Sequence, residues 1–279
     1  MRLRRSLLFV PGTRPEAFGK ALASGADVVC VDLEDAVPQA RKAEARATAI
    51  PVLTAEAGPE RVVRLNSLRS AEGLRALLAV IEARASDGTL MLPKVADAGE
   101  VRLAHDLLTE AGLPLRLAIL VESAEGLENA RAILTASDRI AFALFGAVDY
   151  AADMGLAHPT PLTDPARHRL LHAARLAGVD LLDVPCLDFR SEAAVTQEAQ
   201  AARAMGFAGK AALHPANIGP INTAFAPSPD EVAEAEEIVA LYDAAPTGLA
   251  ERGGKLIEIP VVRAMRRRLA LARAQKESA

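Results

Sequence analysis

Eight short apolar runs, each followed by a segment of helical period, constrain this chain more than any other feature. They occupy residues 6–10, 28–33, 61–65, 89–94, 115–121, 140–145, 180–184 and 209–213. Each is rich in Val, Ile, Leu or Phe and ends in polar, Gly or Pro residues before an Ala/Leu/Glu/Arg stretch, the alternation that builds a parallel sheet. Most intervals have the length of a β-α unit, and eight units fill roughly 225 residues, close to a (β/α)8 barrel. A doubly wound sheet shares the alternation, but the runs are evenly spread and none is followed by GxGxxG. The expected fold is an α/β (β/α)8 TIM barrel over residues 1–225, with a C-terminal helical extension over 226–279.

Two places break the spacing. Residues 153–165 hold Gly155, Pro159, Pro161 and Pro165 and read as a long loop over one rim, a candidate lid. After the eighth run, Ser228-Pro229-Asp230-Glu231 has the pattern of a capping box that opens a helix. Beyond it Gly248, Gly253 and Gly254 read as a hinge, and residues 260–276 as a basic amphipathic helix, a solvated or subunit-docking face before a membrane-binding one.

Charge excludes some partners. With 32 Lys+Arg against 36 Asp+Glu the net charge is -4, which argues against a nucleic-acid binder. No run of about 18 apolar residues is present, so no membrane span is expected. Cys30 and Cys186 lie in apolar stretches without CxxC or Cys/His spacing and read as buried thiols of a reducing, cytoplasmic compartment.

Barrel enzymes carry their chemistry at the C-terminal strand ends. Here those ends offer Asp32, Glu34, Asp35, Arg64, Asn66, Lys94, Glu122, Asp149, Asp183 and His214. Six carboxylates around one mouth, with Arg64 and Lys94 as the fixed cations, repel one another unless a cation or raised pKa values relieve them. Hard oxygen donors without a His or Cys cluster favour Mg2+ or Mn2+ over Zn2+, and Glu122 and Asp149, from adjacent strands, suit an ion that takes one or two carboxylates. Arg64, inside a strand, needs an anion; a substrate carboxylate or a pairing with Glu34 or Asp35 would each satisfy it. Lys94 as a Schiff-base nucleophile requires a lowered pKa, and the acids around it act in the opposite direction. His158 and His214 fall in loops, His105, His168 and His172 in helical segments, and none has zinc-site spacing.

Seven motifs in order carry a family resemblance: Ser6-Leu7-Leu8-Phe9-Val10-Pro11-Gly12, Val31-Asp32-Leu33-Glu34-Asp35-Ala36-Val37, Val63-Arg64-Leu65-Asn66, Pro93-Lys94, Glu122-Ser123-Ala124-Glu125-Gly126-Leu127, Phe145-Gly146-Ala147-Val148-Asp149, and Gly206-Phe207-Ala208-Gly209-Lys210 through His214-Pro215. From Ser6 to about Tyr242 the chain resembles the citrate lyase beta subunit and its malyl-CoA and citramalyl-CoA lyase relatives. The resemblance implies a TIM-barrel carbon–carbon lyase that cleaves a 3-hydroxyacyl thioester into an acyl-CoA and a 2-oxo acid. It places Mg2+ on Glu122 and Asp149, the substrate acid on Arg64, and Glu34, Asp35 and Lys94 around the site. Arg14 and Lys20 become candidate CoA contacts, and a homo-trimer or hexamer the expected assembly. The malyl-CoA and citramalyl-CoA lyases use a C-terminal Asp from a neighbouring subunit as acid/base. Within Ile257-Glu258-Ile259-Pro260-Val261-Val262 this chain has Glu258 at that place, one methylene longer. The alternatives are a citryl-acyl-carrier-protein lyase subunit, a CoA-free class II 2-oxo acid aldolase, and a non-catalytic binding subunit.

Overall fold

Pairing of the eight strands follows chain order. The computed structural model describes residues 2–54, 57–157, 163–245 and 249–277. It contains β1 (Ser6–Pro11), β2 (Val28–Asp32), β3 (Glu60–Arg64), β4 (Thr89–Leu92), β5 (Arg116–Val121), β6 (Ile140–Phe145), β7 (Asp180–Asp183) and β8 (Gly209–Ala212). All pair in parallel, and β1 closes the barrel against β8. The runs are continuous rather than alternating because a parallel barrel strand is buried on both faces. The fourth run stops at Leu92, two residues short of expectation: Pro93 has no N–H to donate, and Lys94 takes the left-handed φ of 54°.

Between strands, helices begin where a short polar side chain caps them. Ser70, Asp97 and Ser191 accept from the backbone of Gly73, Gly99 and Ala194 and open Ala71–Glu82, Ala98–Glu110 and Glu192–Met205. Gly178 and Gly206, at φ 70° and 108°, end Asp164–Ala177 and Glu192–Met205 in the left-handed conformation that glycine adopts freely.

Strand parity decides what the barrel encloses. Leu7, Cys30, Val62, Met91, Leu120, Leu144, Leu182 and Ala211 belong to one buried cluster. Two residues further on, side chains return to the same inner face at the C-terminal rim. There stand Asp32, Arg64, Glu122, Gly146, Val184 and Leu213, with Pro11, four residues beyond Leu7, at the same level as the register partner of Asp32.

Asp183 does not join them. One residue past inward-facing Leu182, it points away from the interior and pairs with buried Lys210 at 3.0 Å and with Arg167 at 2.8 Å; Lys210 also meets Glu198 at 2.9 Å. The expectation of six acids around one mouth is thereby reduced to five. At the opposite end of the barrel, buried Glu60 is held by Arg4 and Arg116 at 2.7 and 3.1 Å, an ion cluster whose place suits stability rather than catalysis.

The chain divides into two units, Arg4–Ala224 and a second that joins the N-terminal residues up to Leu3 with the chain from Phe225 onward. In the second, Ser228 and Glu231 form the capping box of Pro229–Asp243. Gly253 and Gly254 are not a hinge: at φ 58° and 75° they turn a hairpin between β9 (Ala250–Arg252) and β10 (Lys255–Ile257), since two successive left-handed residues match the twist of paired strands. Ile238, Ile257 and Val262 form its buried centre, and Ile259–Glu277 is the terminal helix. Gly248, and His158, Pro159 and Pro161 of the candidate lid, lie outside the described residues. No described helix is long and apolar enough to cross a membrane.

Candidate active site

A cavity of about 470 Å3 opens above the inner layer at the C-terminal rim, and Asp32, Asp35, Arg64, Glu122 and Asp149 line it. Asp32 and Arg64 are register partners on β2 and β3, so their side chains rise together. Both Asp32 oxygens accept from Arg64, Oδ1 from Nε and Oδ2 from Nη2, each at 2.6 Å. Glu34 Oε2 lies 3.0 Å and Asp35 Oδ2 3.7 Å from Arg64 Nη1. The structural partner of Arg64 is therefore Asp32 first, a pairing that the register makes and that spacing within one strand does not reveal. A guanidinium has five N–H donors, so two remain for another anion. Burial opposes its charge, but the bonds and charges of Asp32, with Glu34, outweigh burial and raise its pKa.

Lys94 bridges two carboxylates and touches a third through its backbone. Its Nζ donates to Glu34 Oε1 at 2.6 Å and Asp35 Oδ1 at 3.1 Å, while its N–H donates to Glu122 Oε1 at 2.8 Å. The left-handed φ of Lys94 orients the two groups, a strained conformation of a kind that clusters at functional sites. Burial works against the ammonium, but Glu34 and Asp35 overcome it and raise its pKa. The ion pairs with Glu34 and Asp35 favour a charged Lys94, which disfavours the Schiff-base reading. Burial raises the Glu34 pKa despite Arg64 and Lys94; at Asp35 burial is outweighed by Lys94 and Arg64, and the pKa falls. Lys42, unforeseen from the sequence, donates to the Leu33 and Glu34 carbonyls at 2.9 and 2.6 Å and ties down the loop that carries both acids.

Glu122 and Asp149 are the cavity acids left without a Lys or Arg ion pair among the described residues. Burial above all, then the charges of Glu34 and Asp149, push the Glu122 pKa well above the usual carboxylate range. Gly146 makes room for Glu122: a Cβ there would lie 2.5 Å from Glu122 Cβ and 2.6 Å from Oε2. Gly146 stands before Ala147–Asp153, whose first turn carries Asp149. This pair suits a hard divalent ion that takes two carboxylates and completes its shell with water and substrate. Among the described residues no group of three or more His, Cys, Asp and Glu could hold a metal.

Gly146→Ala is expected to displace Glu122 and destabilise the chain by about 1–3 kcal/mol, with activity falling on the order of 100-fold through misplacement of the carboxylate. Urea melts and steady-state kinetics check this; wild-type activity would show that Glu122 position is not critical.

The remaining sequence candidates lie elsewhere. Arg14 and Lys20 are exposed, in the loop after β1 and at the end of Phe18–Leu22, and neither is among the described residues lining the cavity. Glu258 is exposed in the second unit, between β10 and the terminal helix. His214 caps the turn Pro215–Asn217 through its ring. Burial and Glu198 push the Cys186 thiol up to about 11, so it stays protonated.

A family model described as HpcH/HpaI aldolase/citrate lyase matches residues 5–215. The chain belongs to this family. The citrate lyase subunit beta of Leuconostoc mesenteroides subsp. cremoris is 34% identical, over 98% of this chain and 94% of that protein. An L-malyl-CoA/beta-methylmalyl-CoA lyase of Cereibacter sphaeroides is 32% identical, over 94% of this chain and 92% of its own. Among solved structures, CitE from Mycobacterium tuberculosis in complex with magnesium, acetoacetate and coenzyme A superposes with a TM-score of 0.82 at 30% identity, covering 98% of this chain and 99% of that one. The family is catalytic, and its carbon–carbon lyases share the (β/α)8 barrel seen here.

Proposed function

We propose that this chain is an Mg2+-dependent carbon–carbon lyase that cleaves a 3-hydroxyacyl-CoA into an acyl-CoA and a 2-oxo acid. The observation that carries the reading is the half-ring of Asp32, Arg64 and Glu122, with Asp149 beside it, in which two acids are unneutralised and one guanidinium keeps free N–H groups. Family membership supports the lyase class. When bound at Glu122 and Asp149, Mg2+ supplies Lewis-acid charge to the hydroxyl and carboxylate oxygens of the substrate.

The side chains provide the rest. Arg64, oriented by Asp32, holds the carboxylate that becomes the acid end of the product. Cleavage breaks the bond between the α and β carbons: its electrons pass to the thioester as an enolate, the hydroxyl proton leaves to a base, and the enolate takes up a proton. We assign the acid/base role to Glu258 of a neighbouring copy within a trimer or hexamer, with Asp35, held ionised by Lys94, inside the cavity. Arg14 and Lys20 are assigned to the CoA arm, Mn2+ to the same two acids as Mg2+, and the reduced Cys30 and Cys186 to a cytoplasmic setting.

Purified protein given malyl-CoA or citramalyl-CoA with Mg2+ is expected to release acetyl-CoA and the 2-oxo acid in equal amounts, and EDTA to stop it. Release of free CoA instead would mean thioester hydrolysis. Turnover only on carrier-protein thioesters would favour the citrate lyase subunit, and 2-oxo acid condensation without a thioester the aldolase.

A further inference from the structure

We infer that the 2-oxo acid handled here is a monocarboxylate bearing hydrogen or a small alkyl group, of the glyoxylate or pyruvate class, and not a dicarboxylate such as oxaloacetate. The inference rests on the lyase reading and narrows its substrate. The rim layer is split: β2, β3 and β5 contribute Asp32, Arg64 and Glu122, whereas β1, β6, β7 and β8 contribute Pro11, Gly146, Val184 and Leu213. Leu120 and Leu144 lie beneath them in the buried cluster and also line the cavity.

Among the described lining residues Arg64 is the one cation, against Asp32, Asp35, Glu122 and Asp149. Neighbouring cations are committed elsewhere: Lys94 to Glu34 and Asp35, Lys42 to the Leu33 and Glu34 carbonyls, and Lys210 and Arg167 to Asp183 behind the wall. One substrate carboxylate therefore finds the free N–H groups of Arg64. A second would stand beside like charges or against Val184, Leu213 and Leu144, side chains that offer a carboxylate neither a charge nor a hydrogen-bond partner. Hydrogen or a methyl group meets no such penalty on the apolar side. Size does not impose the choice, because about 470 Å3 admits either acid.

The test compares kcat/KM of the full-length protein, saturated with Mg2+, for malyl-CoA, citramalyl-CoA and citryl-CoA. Citryl-CoA is expected to fall behind the better of the other two by on the order of 100-fold or more; equal or faster citryl-CoA turnover overturns the inference. A binding arm separates this from failure of the lyase reading. If no thioester is cleaved, that reading falls, and calorimetric titration of the Mg2+-loaded protein with pyruvate and with fresh oxaloacetate then decides: tighter pyruvate binding upholds the inference, and equal or tighter oxaloacetate binding ends it. Leu213→Arg, at a position 46% exposed, places a cation on the apolar side and is expected to narrow the pyruvate preference at least about fivefold. An unchanged ratio would show that the missing cation is not its cause.

Discussion

Arg64→Met lowers stability by about 3–5 kcal/mol, and the melting temperature by roughly 10 °C. The cost comes from what stays behind. Asp32 is 2% exposed and loses both of its Arg64 bonds, and Glu34 loses the cation beside Oε2. Glu34 also sets the pH dependence. Burial raises its pKa even with Arg64 present. A carboxyl group with a raised folded-state pKa favours the fold in its protonated form, and that contribution is lost as pH rises through the folded pKa. Without Arg64 the pKa rises further, so the deficit is large near neutrality and shrinks as the pH falls. Arg64→Lys keeps the charge but not the two parallel bonds, and should recover part of the loss. Thermal melts of the three proteins across pH check both statements. A Met variant as stable as wild type, or a deficit that does not change with pH, would contradict the buried-pair account.

Glu122→Gln is expected to cut kcat by about a thousandfold, equivalent to roughly 4 kcal/mol of transition-state stabilisation, while the metal-free protein becomes more stable near neutral pH. The amide retains an oxygen for the Lys94 N–H but carries no charge for an ion. Its stabilising effect follows from the raised Glu122 pKa: ionised, the buried carboxylate opposes folding as pH rises through its folded value, and the amide removes that titration. Mg2+ should then raise the melting temperature of the wild type, because it binds the folded state, and leave the variant unmoved. Undiminished turnover in Glu122→Gln, or an equal Mg2+ shift in both proteins, would remove Glu122 from the metal site.

Strand positions were legible because parallel strands buried on both faces read as unbroken apolar runs, and the Ser228 capping box because its two partners sit three residues apart. Parity was equally present in the pattern. Counting inward residues two by two from Leu182 places Asp183 outside the ring, whereas a list of polar strand ends does not separate inside from outside. The Asp32–Arg64 pair and the close approach of Gly146 to Glu122 depend on register between strands far apart in the chain, which no local spacing encodes. Gly253 and Gly254 illustrate another ambiguity: paired glycines serve a hinge or a hairpin alike, and the short strands on either side decide for the hairpin. Glu258 carries no local signal for its proposed role, since the group it would serve belongs to another copy.

The account stands on one divalent ion and one carboxylate meeting on the polar side of the rim. Anomalous scattering from crystals soaked with Mn2+ and pyruvate locates both. The predicted result is one Mn2+ peak per chain between Glu122 and Asp149, with the pyruvate carboxylate turned toward Arg64. An ion bound elsewhere, or pyruvate lying against Val184 and Leu213 with its carboxylate away from Arg64, would contradict it.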